Sequence, residues 1–151
     1  PEHGANRLLI QGDIVSYEGT GSLSNTVLLR FVKNRHRKFF VTFDLDAISQ
    51  IEKTLKSLQL EKQKHYMPVG QNVAGKRNIE GLLPEVVTKA VYEANADLVQ
   101  AATAGTKDEQ DSAKRKLKTL LLAEFQKKAT PGQEYFGYFY TLTKVINKAL
   151  L

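Results

Sequence analysis

Residues 39–47 read Phe-Phe-Val-Thr-Phe-Asp-Leu-Asp-Ala. An apolar run of this kind, rich in Phe and Val, is expected to be a buried strand. It ends in two acids separated by one residue. Side chains alternate along a strand, so Asp44 and Asp46 are expected on one face and Leu45 on the other. Two carboxylates about 6 Å apart repel by roughly 3 kcal/mol at an effective dielectric of about 20. A cation between them removes that cost, and an all-oxygen pair suits Mg²⁺, or Mn²⁺ as its mimic. The alternative is structural, with one Asp closing a strand and the other capping a helix.

The rest of the chain can be read around that strand. Asp13–Tyr17 is expected to be a strand that runs into Glu18-Gly19-Thr20-Gly21-Ser22, a turn with close backbone approach. Ser22 or Ser24 would cap a helix reaching Arg35, with Val27, Leu28, Phe31 and Val32 at helical spacing. Arg30, Lys33, Arg35, His36, Arg37 and Lys38 crowd its end. They suit the helix dipole, or alternatively a phosphate. After the acidic pair, residues 47–58 carry a helical stripe of Ile48, Ile51, Leu55 and Leu58, and His65–Val69 is a strand that Pro68 places at an edge or end. Strand, helix, strand, helix, strand implies right-handed crossovers and a parallel sheet covered by helices. Ligands then sit beyond the carboxyl ends of the strands, where the Gly21-Ser22 turn and the Asp44/Asp46 pair both fall.

Gly70–Arg77 is a polar loop that leads to Ile79-Glu80-Gly81-Leu82-Leu83-Pro84. Pro84 opens a helix with Val87, Val91, Ala94, Leu98 and Ala101 on one face. Gly105–Asp111 is a link, and Ser112–Lys127 a helix with Leu117, Leu120, Leu121 and Phe125 inward. Thr130-Pro131-Gly132 is a break. Gln133–Leu151 is a last helix, greasy on more than one side, that is expected to be buried or to meet a partner. Two parts are expected: an α/β core over residues 1–84 and a helical part over 85–151, packed as one domain.

Charge narrows the partners. The net charge is +6 and the pI about 9.5, which favours a polyanion such as nucleic acid. There is no Cys, and His3, His36 and His65 lack zinc-ligand spacing. No apolar run is long enough for a membrane span and no signal peptide is visible, so a cytoplasmic setting is expected.

Three features now follow one order: a Gly-Ser turn after one strand, Asp44-Leu45-Asp46 after the next, and an isolated acid, Glu80, in Asn78-Ile79-Glu80-Gly81-Leu82-Leu83-Pro84. That order resembles a Toprim domain, the metal-binding α/β module of primases, topoisomerases and some nucleases. It is most similar to the Toprim nucleases of the OLD (overcoming lysogenisation defect) type found in phage-defence systems. The resemblance spans residues 13–84. It implies an endonuclease that hydrolyses phosphodiesters with Mg²⁺ or Mn²⁺ held by Asp44, Asp46 and Glu80. It also implies a late lysine, Lys128 or Lys127, acting on the charged phosphate. Gly21, Ser22, Lys76 and Arg77 are the candidate phosphate contacts of the sequence itself. The implied setting is an oligomeric anti-phage effector with an upstream ATPase domain or subunit, acting on nucleic acid, DNA first. One departure stands out. A Toprim domain opens on a strand ending in Glu-Gly, and only Glu2 and Glu18 precede Asp44 as candidates. Glu18-Gly19 sits on the second strand position. The missing strand is therefore expected upstream, in a longer protein of which this chain is a catalytically incomplete piece.

Two rivals remain. Phe-Asp-Leu-Asp after an apolar strand also opens haloacid-dehalogenase-like phosphatases, where the first Asp is a nucleophile. Here Ala47-Ile48 follows, and the later Asp97, Asp108 and Asp111 form no paired acidic motif. The other rival is a non-catalytic basic module that binds nucleic acid.

Overall fold

The computed structural model describes residues 12–16, 20–36, 38–129 and 136–151. Its core begins with the apolar run. Strand β1 is Val41–Asp44, and it pairs in parallel with β2, Tyr66–Val69, placing Val41 opposite Tyr66 and Asp44 opposite Val69. Between them lies helix α3, Ile48–Ser57. The strand–helix–strand unit read from the sequence is therefore present, and these two strands make the whole sheet among the described residues.

Burial explains why the unit holds. Val41 and Phe43 alternate inward from β1, and Ile51 and Leu55 follow at helical spacing from α3. Leu23, Leu29, Ala47, Leu58 and Leu60 complete the cluster, and the Phe43 ring stacks on Tyr66 at 5.9 Å. Ile51 is completely buried, which is worth about 1.5–3 kcal/mol.

The N-terminal region departs from the sequence reading. Residues 13–16 form no strand and are exposed, so their β-branched side chains have no sheet neighbour to pack against. Tyr17, Glu18 and Gly19 lie outside the described residues, as do Glu2 and Arg7–Ile10. The expected single helix is two: α1, Thr20–Ser24, and α2, Thr26–Arg35. Asn25 divides them. It adopts an extended backbone, and its Oδ1 accepts the Val27 amide at 2.9 Å, so Asn25 rather than a serine is the cap. The buried face also differs from the expected stripe. Leu29 and Val32 are buried, whereas Val27 and Phe31 are exposed. Asn25→Ala is expected to cost about 1 kcal/mol in urea denaturation.

The chain divides into two compact units: residues 1–82 with 137–151, and residues 83–136. In the second unit α4, Glu85–Ala94, α5, Ala96–Ala104, and α6, Lys107–Lys128, enclose Val87, Val91, Ala102, Ala113, Leu117 and Leu121. The helix opened by Pro84 breaks at Asn95, whose side chain donates to the Val91 carbonyl at 2.8 Å. Helix α6 starts five residues earlier than expected, because Thr106 and Glu109 form a reciprocal capping box. The last helix, α7, Gly137–Leu150, belongs to the first unit. Most of its apolar side chains are half-buried, and Tyr138 is exposed. Thr130–Tyr135 lie outside the described residues. No helix among the described residues is long and apolar enough to cross a membrane.

Candidate functional site

The Asp-Leu-Asp turn and the segment that carries Glu80 are joined by hydrogen bonds where β1 ends. Asp44 is the last strand residue and is half-buried. A 3₁₀ turn, Leu45–Ala47, follows at once and feeds α3. The alternation argument that put Asp44 and Asp46 on one face therefore does not apply, because Asp46 is on the turn and not on the strand. Ala47 is buried in the core, so the chain must turn inward immediately after the pair.

The loop leaving β2 returns to this corner. The Asp44 carboxylate accepts the Ile79 amide through Oδ1 at 3.0 Å. The Asp46 amide donates to the Arg77 carbonyl, also at 3.0 Å. Residues 79–82 form a second 3₁₀ turn that carries Glu80, whose Oε2 is shielded from solvent. An acid thirty-odd positions downstream is thus delivered within one residue of Asp44's hydrogen-bond partner.

Close backbone contacts hold that loop. Gly70 has φ +125, a conformation that disfavours any side chain, and a Cβ there would lie 2.5 Å from the Arg77 carbonyl carbon. A Cβ on Gly81 would collide with the backbone carbonyl of Lys76. Gln71 spans the loop: its amide donates to the Lys76 carbonyl at 2.6 Å, and its side chain donates to the Gly81 carbonyl at 2.6 Å. Asn78 Oδ1 accepts the Gly81 amide at 3.2 Å. Lys76 and Arg77 are consequently fixed by their backbones while their side chains are exposed.

The other sequence candidates fall elsewhere. Gly21 and Ser22 lie inside α1 and not on a turn after a strand, so their backbone is not an open phosphate cradle. The side chain of Ser22 lies outside the described set. Lys128 is in the second unit, where its ammonium pairs with Glu124 at 3.1 Å. The basic cluster after α2 is partly structural. Lys33 donates to the Leu58 carbonyl at the end of α3, Lys38 donates to the Leu151 carbonyl, and Arg35 lies over the Phe31 ring. Arg37 lies outside the described residues.

Among the described residues no three His, Cys, Asp or Glu gather into a ready-made metal cage. Mg²⁺ seldom needs one. It usually takes one or two protein carboxylates and completes its shell with water and substrate phosphate. The hard-oxygen donors at the end of β1 suit that open kind of site.

Sequence reasoning overlooked His65. Its ring stacks on Phe39 at 5.7 Å, and its Nδ1 accepts the Glu61 amide at 3.0 Å. Burial lowers its pKa from 6.5, the nearby charge of Lys64 and, more weakly, Lys33 push the same way, and the Glu61 carboxylate opposes them. A neutral ring is thus favoured in the fold, and its contribution is fully present above the unfolded pKa. It is lost as pH falls below 6.5 through the folded value. The urea midpoint is expected to drop between pH 7.5 and 5, and His65→Phe should flatten that drop.

Compared with protein-family models, curated proteins and solved structures, the chain matches none.

Proposed function

We propose that the corner formed by Asp44, Asp46 and Glu80 is the centre of a divalent-metal-dependent nuclease that hydrolyses phosphodiesters in nucleic acid, with DNA as its first substrate. One observation carries the reading. The Asp44 carboxylate binds the Ile79 amide, which ties the Asp-Leu-Asp turn to the segment that carries Glu80 and so supports the reading that both belong to one site. The net charge of +6 supports a polyanionic substrate.

The roles follow from the surroundings. Asp44 and Asp46 would hold Mg²⁺ or Mn²⁺, with Glu80 as a further contact. When bound, such an ion activates water and neutralises the leaving oxygen. The Ile79 amide orients Asp44, so its carboxylate need not reorganise when substrate arrives. The wider setting we propose is an oligomeric, ATPase-linked anti-phage effector in the cytoplasm.

The test uses the full 151-residue chain. Mn²⁺ binding is followed by electron paramagnetic resonance, and plasmid and RNA cleavage are measured with Mg²⁺, Mn²⁺ or a chelator. Saturable Mn²⁺ binding that Asp44→Asn abolishes is the expected result for this chain, and chelator-sensitive cleavage is expected of the longer protein that carries the upstream Glu-Gly strand. A phosphoenzyme trapped on Asp44, or Mn²⁺ binding unchanged in Asp44→Asn, overturns it.

A further inference from the structure

The loop between β2 and the Glu80 turn does more than deliver an acid. It presents two adjacent cations, Lys76 and Arg77, at the same corner. Both are exposed, and neither is ion-paired with a described residue. Their backbones are held unusually well. The Arg77 carbonyl is packed against Gly70 and accepts the Asp46 amide. The Lys76 carbonyl is packed against Gly81 and accepts the Gln71 amide. Fixing them reduces the ordering cost of binding an anion.

We propose that the loop over residues 70–82 is a preorganised clamp in which Lys76 and Arg77 grip consecutive phosphates of a nucleic-acid backbone beside the acidic corner, with Gln71 as the positioning residue. This rests on the nuclease reading for its substrate class. Gln71 acts through the cations. Its side chain holds the Gly81 carbonyl while its backbone amide holds the Lys76 carbonyl, so losing the side chain releases the Gly81 end of the loop and leaves the backbone bond and both charges in place. Arg77 offers a planar fork that matches two phosphate oxygens, and Lys76 a point charge. The clamp reads the backbone and carries no sequence preference of its own.

The test is the salt dependence of binding of the full chain to a fluorescent DNA duplex without divalent metal, with inorganic phosphate as a competing probe. Lys76→Gln with Arg77→Gln is expected to make the slope of log K against log salt shallower by roughly 1.8, two contacts at about 0.9 each. Gln71→Met is expected to weaken duplex binding at least threefold in the wild-type background and to have no effect once both cations are gone. Millimolar phosphate should compete poorly, because it cannot span both cations. The proposal is overturned by an unchanged slope in the double variant, or by a wild-type chain that shows no salt-dependent binding. Equal loss from Gln71→Met in both backgrounds, or strong competition by phosphate alone, also overturns it. Cleavage with an unchanged slope would sink the clamp and leave the nuclease standing. A changed slope without metal binding would do the reverse.

Discussion

Asp44→Asn is expected to reduce metal-dependent cleavage at least a thousandfold, about 4 kcal/mol of transition-state stabilisation, with the fold intact. The amide has the shape of the carboxylate, and its Oδ1 can still accept the Ile79 amide at the end of β1. Only the negative charge is lost, and that charge is what a divalent ion needs. Asp44→Ala tests something different. It removes the acceptor as well and frees the Ile79 amide, so it should also destabilise the fold by about 1 kcal/mol. Relief of repulsion between Asp44 and Asp46 is therefore not the whole effect of truncating the pair. Cleavage rates and thermal midpoints on both variants separate charge from anchoring. Wild-type cleavage by Asp44→Asn would remove Asp44 from the chemistry.

Gly81→Ala is expected to cost roughly 1–3 kcal/mol in urea denaturation, in the range of an overpacked interior. The reason is contact and not backbone conformation. All three atoms nearest to an added Cβ belong to the Lys76 backbone, so no flexible side-chain tip can swing aside. The loop would have to move as a body, and the hydrogen bond from Gln71 to the Gly81 carbonyl would go with it. A variant as stable as the wild type would show that the loop yields freely.

What could be read from the sequence is what depends on local pattern. The apolar run at 39–43, the stripe Ile48, Ile51, Leu55 and Leu58, and the β-rich 65–69 gave a parallel strand–helix–strand unit. The acids were legible because they close the apolar run. Their shared face was not, since a strand that stops at Asp44 cannot impose alternation on Asp46. Asn25 was hidden by Val27 and Phe31, which continue a helical period on a face that the fold leaves exposed. Thr106-Lys107-Asp108-Glu109 carries the capping-box pattern inside a stretch whose polar composition reads as a link. The closure of residues 70–81 was out of reach, because it depends on Gly70 meeting Arg77 and Gly81 meeting Lys76. No spacing rule encodes such approaches.

The hydrogen bond from the Asp46 amide to the Arg77 carbonyl has a thermodynamic consequence. Acid and cation are joined through main chain and not through mobile side chains, so neither can be repositioned alone. An ion that drew the Asp-Leu-Asp turn into a tighter geometry would also shift the guanidinium's root, and a phosphate strand pulling on Arg77 would reach back to Asp46. On the metal and clamp readings proposed above, affinity for one ligand would then depend on occupancy by the other, by the same factor in both directions.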